Sequence, residues 1–204
     1  MNFLEEKNIS GHLQIVKVYK SGEEESLLDD SNIIVSGMGA GLSILFAENA
    51  VTGALVSNFQ IGKFQVGVSG PPAGGVVSSI NELSGPLSSV DEYGLGSNLV
   101  LETNNLWAVP GTASIGDQII ARIPGSKITR IGDSSVRFTL VLDEEACNGL
   151  TRGSSDAAIN EVGLLMNNPL NSPSEKPVLV AYRTFSDIYK TSDFSLIFRW
   201  TINF

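Results

Sequence analysis

The residues that could carry out chemistry are few and lie far apart in the sequence. His12 and Cys147, the single histidine and the single cysteine, could form a nucleophilic dyad in which the imidazole accepts the thiol proton. Glu144 and Glu145 lie close to Cys147 in sequence, and negative charge disfavours a thiolate. A serine triad would also need His12, but the sequence contains no Gly-x-Ser-x-Gly elbow. We therefore predict no catalytic residue, and a hydrolase that depends on His12 or Glu161 stays as an alternative.

Three acidic sets could act as acids or bind cations, but each also has a structural interpretation. The run 143–145 could supply a glycosidase carboxylate or calcium ligands, yet it lacks EF-hand spacing and fits an exposed strand end. The run 23–25 could bind a cation or form the solvated arm of a hairpin. Glu161 could be a catalytic acid, or a buried carboxylate paired with Arg183 or Arg199. Because only one histidine is present, a multi-histidine metal site is excluded. We predict no metal site and no cofactor.

A glycine-rich stretch, Gly37-Met38-Gly39-Ala40-Gly41, could be a phosphate-binding loop or the first turns of a helix. No Lys-Ser/Thr follows it, and the G-x-G-x-x-G spacing fails. We predict a helix over residues 36–48, capped by Ser36, with Leu42, Leu45 and Phe46 on its apolar face. Glycines destabilise a helix interior, so their presence predicts close packing of this helix against a sheet.

Aromatic side chains suggest carbohydrate binding as a further alternative. Trp107, Tyr93 and Tyr189 could together form a platform on which a sugar ring stacks. Trp200 is excluded from this platform because its place in an alternating strand predicts that it is buried.

The C-terminal stretch, residues 193–204, is the clearest structural signal. Alternate residues are apolar: Phe194, Leu196, Phe198, Trp200, Ile202 and Phe204. Since a strand turns successive side chains to opposite faces, the pattern predicts a strand with one buried face. Near the N-terminus, residues 13–20 and 23–29 predict a hairpin with a Ser21-Gly22 turn, in which Lys20 faces Glu23.

Further short strands separated by Gly, Pro, Asn and Ser turns complete the predicted fold. They cover residues 59–68, 99–109, 116–123, 126–131, 135–142, 158–166 and 178–188. The pattern predicts a mostly β protein, an antiparallel, jelly-roll-like β-sandwich with one short helix packed on it. We expect a single domain over residues 1–204, with a possible N-terminal arm at 1–10 and a long loop insertion at 69–98.

Composition limits the classes of partner. The chain has 204 residues and a net charge of −9, and an acidic surface repels nucleic acid and anionic membranes. No apolar run reaches the length of about 20 residues that spans a bilayer. The N-terminal residues lack the basic and apolar regions of a signal peptide, and one cysteine excludes an intrachain disulfide. These features predict synthesis in a cytosol, with neither nucleic acid nor membrane as a partner.

Three groups of motifs, in this order, resemble one known family. The first is Gly11-His12-Leu13 followed by Ser31-Asn32-Ile33-Ile34-Val35-Ser36-Gly37-Met38-Gly39, and the second is Ile159-Asn160-Glu161-Val162-Gly163-Leu164-Leu165. The third is Val180-Ala181-Tyr182-Arg183-Thr184-Phe185, then Ile188, Lys190-Thr191, Phe194 and Trp200-Thr201-Ile202-Asn203-Phe204. Together they resemble virion structural proteins of tailed bacteriophages, the tail-fibre-like, collar and baseplate-associated proteins of marine and cyanobacterial phages. The stretch from about residue 70 to 110 has no counterpart in this resemblance.

The resemblance implies a non-enzymatic virion subunit that assembles in the host bacterial cytoplasm with copies of itself and with other virion proteins. It implies no catalytic residues, so none are assigned from it. A carbohydrate-binding receptor module that recognises a host surface glycan, and a head-surface decoration protein, are the alternatives. Apolar residues in the loop and the arm are the predicted interface residues, namely Leu83, Leu87, Val90, Tyr93, Leu95, Phe3 and Leu4.

Overall fold

The computed structural model describes residues 9–46, 55–68, 70, 83–85, 106–109, 118–152, 155–167 and 177–204. Within them lie one α-helix, α1 (Ser36–Phe46), and two short 3-10 turns, Val56–Phe59 and Gly125–Lys127. The strands are β1 (Ser10–Tyr19), β2 (Glu24–Ile34), β3 (Ile61–Gly67), β4 (Leu106–Val109), β5 (Gln118–Arg122), β6 (Ile128–Arg130), β7 (Ser135–Leu142), β8 (Thr151–Arg152), β9 (Ser155–Asp156), β10 (Ile159–Met166), β11 (Val178–Ile188) and β12 (Phe194–Asn203).

Ten of these strands form one antiparallel sheet in the order β4-β5-β3-β10-β11-β2-β1-β12-β7-β6. The long strand β2 joins its two halves, because its first part pairs with β1 and its last residues, Ile33 and Ile34, pair with β11. The sheet is nearly barrel-shaped, with β4 and β6 at its two edges, and β8 and β9 form a separate small hairpin. The prediction of a mostly β, antiparallel protein is confirmed, whereas the sandwich and jelly-roll layering stays a prediction.

Strand β12 lies in the centre of one half of the sheet, between β1 and β7. Its alternation is confirmed: Leu196, Phe198 and Trp200 have no exposed surface. Phe64 of β3 packs across the core, with its ring centroid 5.5 Å from that of Phe198 and 5.9 Å from that of Trp200. Phe204, predicted to be on the same buried face, is 41% exposed because it lies beyond the last paired residue of the strand.

The β1–β2 hairpin is present, but its turn has three residues instead of two. The amide of Tyr19 donates to the carbonyl of Glu23, so Lys20 lies inside the turn and does not face Glu23. Gly22 takes a positive φ of 86°, as the sequence predicts for the glycine of this turn. The cross-strand ion pair forms instead between Lys17 and Glu25, whose charged atoms are 3.6 Å apart.

Helix α1 begins at Ser36 and lies against β11. A β-carbon on Gly37 would come within 2.0 Å of the Leu179 carbonyl oxygen, so the predicted close approach to a sheet is confirmed. The predicted apolar face is wrong at its C-terminal end, since the buried residues of the helix include Met38 and Gly41. Phe46 is 81% exposed, because residues 37 and 38 face the sheet and this rotates the end of the helix away from it.

Candidate functional site

The two residues of the predicted nucleophilic dyad have different environments. His12 lies on the outward face of β1, about half exposed, with Nε2 2.5 Å from Oδ1 of Asp29. Cys147 is fully buried within the hydrophobic core, and burial raises the pKa of its thiol to about 12, with a smaller contribution from Asp143. Burial, and not the adjacent glutamates, is therefore the main reason that the thiol stays protonated.

Glu161 is completely buried in β10, but its predicted partners were wrong. Its Oε1 accepts a hydrogen bond from the amide of Gly85 (2.6 Å), and its Oε2 accepts one from the amide of Ser84 (3.0 Å) and one from the Tyr182 hydroxyl (2.8 Å). Burial raises the pKa of the Tyr182 hydroxyl, and the adjacent Glu161 carboxylate raises it further. The carboxylate of Glu161 is surrounded by hydrogen-bond donors. Because two of these donors are backbone amides of the segment 83–85, the carboxylate anchors that segment to the sheet.

Both arginines predicted to pair with Glu161 have other polar partners. Arg183 pairs with Asp30 at 2.5 Å, and Arg199 donates to Gln14 at 2.9 Å. A backbone hydrogen bond from Ser31 and the charge of Arg183 lower the pKa of Asp30. The sequence cannot identify these partners, because they depend on the register of strands that are distant in sequence.

Lys190 is a second buried polar residue, 3% exposed, between β11 and β12. Its ammonium donates to Oδ1 of Asn148 (2.9 Å) and to the carbonyl of Thr191 (2.7 Å), and it lies 5.1 Å from the ring centroid of Phe194. Desolvation lowers its pKa, while neighbouring acidic groups oppose that shift. These contacts connect the loop after β7 to the β11–β12 hairpin, so Lys190 has a structural role.

A cleft of about 690 Å³ opens at one end of the nearly closed sheet. Its lining is mainly apolar and contains no charged residue: Met38, Leu42, Phe59, Gln60, Ile61, Gly62, Ile123, Gly125, Ile128, Val136, Phe138, Met166, Asn167 and Phe204. Clefts of this volume at the mouth of a β-barrel are common binding sites. We call it the apolar cleft.

Beside the apolar cleft lies a group of exposed apolar side chains. Phe46 (81% exposed) and Leu45 (41%) end helix α1, and Leu55 (65%) and Val56 (76%) begin the first 3-10 turn, which contacts that helix. The helix and the turn that carry this group also border the cleft, since Leu42 of the helix and Phe59 of the turn line it. We call the cleft and the group together the apolar end; exposed apolar surface of this kind commonly marks a protein–protein contact.

The predicted interface residues are only in part described. Leu83 is 3% exposed and packs within its own chain against Val35, Leu165, Leu179 and Tyr182. Leu87, Val90, Tyr93, Leu95, Phe3 and Leu4 lie outside the described residues. Of the predicted arm, Ile9 packs against the core and Ser10 begins β1, while residues 1–8 lie outside the described residues.

A smaller pocket of about 300 Å³ contains one member of the predicted aromatic platform. Tyr189, 59% exposed, lines it together with Val68, Ser155, Asp156, Ala157, Ala158, Asn160 and Asp187. Tyr93 lies outside the described residues, and the structure describes only the backbone of Trp107, in β4. Among the described residues, no group of three or more His, Cys, Asp or Glu side chains is placed to hold a metal ion.

No protein-family model, curated protein or solved structure matched this chain. In the part of the chain that the structure describes, no helix is long and apolar enough to cross a membrane.

Proposed function

We propose that this chain is a non-enzymatic structural subunit of a tailed-bacteriophage virion, located in the tail, collar or baseplate. It assembles with copies of itself and with other virion proteins, in the cytoplasm of the host. The phage assignment rests on the sequence motifs at both ends of the chain. The layering expected of a jelly-roll-like sandwich is supported by the packing of Phe64 against Phe198 and Trp200.

The apolar end is the single observation that supports the proposed role in assembly. Each copy has a net charge of −9, so two copies repel one another through most of their surface. The lining of the apolar cleft contains no charged residue, and its neighbours Phe46 and Val56 are more than 75% exposed. Burial of these side chains against a second copy removes apolar surface from water, which favours association by about 25 cal/mol per Å² before the entropic costs.

The double variant Phe46→Asp/Val56→Asp is expected to lose self-association. Two charges at the centre of an apolar contact weaken binding by at least about 2 kcal/mol, which is more than tenfold in Kd. The measurement is the molar mass in solution, by light scattering on a size-exclusion column over a range of concentrations. We expect an oligomer for the wild type and a monomer for the double variant.

Leu27→Asp is the control, because Leu27 is also an exposed apolar residue (36%) but lies on β2, outside the apolar end. It should retain the wild-type mass. A second experiment tests the phage assignment. Peptides of this chain should persist in salt-washed particles of the phage whose genome encodes it. A monomeric wild type that is also absent from such particles would overturn the proposal.

A carbohydrate-binding receptor module is the second candidate, and the pocket beside Tyr189 favours it. An exposed aromatic face next to carboxylates and an amide can stack on a sugar ring and accept its hydroxyl hydrogens. In this pocket Nδ2 of Asn160 donates to Oδ1 of Asp187 at 3.0 Å, so the polar groups are already held in place.

Glycan-array binding that falls at least tenfold in Tyr189→Ala would support this candidate. Removing the ring eliminates the stacking contact but keeps the strands that form the pocket. Tyr19→Ala is the control, since this tyrosine lies on β1 and bonds to Glu25, not to the pocket. Absence of binding by the wild-type protein, or equal binding by both variants, would contradict it.

A further inference from the structure

We propose that the outward face of β7 and β12 binds an acidic saccharide, whose carboxylate or phosphate groups pair with Arg137 and Arg199. This binding function goes beyond the proposed role in assembly. The two arginines and their outward neighbours Thr139 and Thr201, which we call the arginine face, line neither the apolar cleft nor the pocket beside Tyr189.

Strand register places the two arginines on adjacent strands of one surface. Arg199 of β12 pairs with Thr139 of β7, and Arg137 of β7 pairs with Thr201 of β12. The residues that alternate with them, 138 and 200, are buried in the core, so these four side chains point outward. The arginines are therefore diagonal neighbours across the strand pair, about 7–8 Å apart, which a single anion can bridge.

Neither arginine is neutralised by an acid within the part of the chain that the structure describes. Nη1 of Arg199 donates to Oε1 of Gln14 at 2.9 Å, and Nε of Arg137 donates to Oγ1 of Thr201 at 3.5 Å. Both acceptors are uncharged, and no described carboxylate forms an ion pair with either guanidinium. Most of their N–H donors are therefore free to bind a ligand, and a guanidinium fork matches a carboxylate or a phosphate.

The acid that lies next to this surface is already engaged by other groups. Oδ1 of Asp29, on β2, lies 2.5 Å from Nε2 of His12, and its Oδ2 accepts a hydrogen bond from Gln14 at 3.2 Å. Like charges on neighbouring strands repel, so a bound anion would stabilise the two arginines. The net charge of −9 does not prevent this, because physiological salt screens charges more than about 8 Å away.

The side chains around the two arginines favour a saccharide among anionic ligands. Across β6, β7, β12 and β1 they carry hydroxyl or amide groups: Thr129, Ser135, Thr139, Thr201, Asn203 and Ser10. Such groups both donate and accept hydrogen bonds, as sugar hydroxyls require. This set contains no aromatic ring, on which the bases of single-stranded nucleic acid would stack. An acidic saccharide satisfies both the guanidinium groups and the hydroxyl groups.

Calorimetric titration of the full-length protein tests this proposal. Oligogalacturonate and dextran phosphate are the charged probes, one for each source of negative charge, and unmodified dextran is the neutral one. We expect the wild type to bind at least one charged probe and not dextran. The double variant Arg137→Gln/Arg199→Gln should bind that probe at least about tenfold more weakly, because hydrogen bonds to charged groups are lost.

The matched control is Lys127→Gln/Arg130→Gln, which removes the same amount of positive charge. Both residues are exposed, Lys127 lies in a 3-10 turn, and Arg130 pairs with Asp133, so neither belongs to the arginine face. This variant should keep the wild-type affinity within about threefold, since binding depends on the arginine pair and not on net charge.

Three results would overturn the proposal without affecting the apolar end, whose self-association is measured separately. The first is a wild type that binds neither charged probe, or binds dextran equally well. The second is an equal loss of affinity in the two double variants, because net charge alone would then attract the probe. The third is binding of polyglutamate as tight as that of the acidic saccharides, since the arginines would then recognise an acidic peptide.

Discussion

Replacement of Glu161 by alanine is expected to lower the free energy of unfolding by at least about 3 kcal/mol. The substitution removes the acceptor of three hydrogen bonds, from the amides of Ser84 and Gly85 and from the hydroxyl of Tyr182. Each buried donor left without a partner costs about 1–3 kcal/mol. Glu161 has no exposed surface, so water cannot replace the lost acceptor without opening the core.

The surroundings of Glu161 are also shaped around its carboxylate. A β-carbon on Gly67 would lie 2.3 Å from Oε1, and one on Gly70 would lie 2.8 Å from the β-carbon of Glu161. Since Gly67 leaves space that the carboxylate fills, an alanine at position 161 also leaves a cavity, which adds to the loss of stability.

Urea unfolding followed by tryptophan fluorescence measures the effect, with Glu161→Gln and Glu24→Ala as the matched variants. Glutamine keeps the shape and one acceptor oxygen but presents an NH₂ group toward an amide donor, so we expect an intermediate loss of about 1–3 kcal/mol. Glu24 is an exposed glutamate on β2, and its replacement should change stability by less than about 0.5 kcal/mol. Equal stability of Glu161→Ala and Glu24→Ala would contradict the anchoring role.

Amide hydrogen exchange gives a local test of the same contact. In the wild type the amide of Gly85 is held by Oε1 of Glu161, and the carbonyl of Gly85 accepts the amide of Val68. Loss of the carboxylate should therefore increase exchange at Gly85 and Val68 more than at the centre of β12.

The sequence predicts those parts of the fold in which a local pattern decides the structure. The alternation in β12 is such a pattern, because each apolar side chain falls on one face whatever strand lies beside it. The positive φ of Gly22 is another, since the turn needs a residue without a β-carbon. The close approach of helix α1 to the sheet also followed from its own glycines.

The partners of Glu161 could not be predicted from the sequence, because two of its three donors are backbone amides. Any residue except proline has such an amide, so Ser84 and Gly85 carry no distinctive side-chain signal, and they lie more than 70 residues from the carboxylate. The predicted pairing with arginine assumed that a buried charge needs an opposite charge, whereas hydrogen-bond donors suffice here.

The apolar end was missed for a related reason. Its residues come from helix α1, from a 3-10 turn and from strands that meet only in the folded sheet. Helical spacing placed Leu45 and Phe46 on the buried face, but the contacts of Gly37 and Met38 fix the rotation of the helix instead. The sequence could have offered one signal, the two adjacent large apolar residues at the end of a helix that is already packed through its glycines.

The substitution Gly37→Ala is expected to destabilise the fold by about 1–3 kcal/mol or more, the range found for overpacked contacts. The added β-carbon would lie 2.0 Å from the carbonyl oxygen of Leu179 and 2.6 Å from Cγ1 of Val178. The first of these atoms belongs to the backbone of β11 and cannot rotate away, so the helix must shift. Urea unfolding measures the loss.

The glycine two residues further along the same helix provides the control for this prediction. A β-carbon on Gly39 would meet no atom within 4 Å, so Gly39→Ala should stabilise the protein by about 0.5–1 kcal/mol through its effect on helix propensity. Both variants replace glycine with alanine in α1, so the difference between them isolates the contact with β11. Because a shifted helix also moves Met38 and Leu42, which line the apolar cleft, Gly37→Ala should weaken self-association while Gly39→Ala should not. If Gly37→Ala were as stable as Gly39→Ala, α1 would not be held by this contact, and its rotation would need another cause.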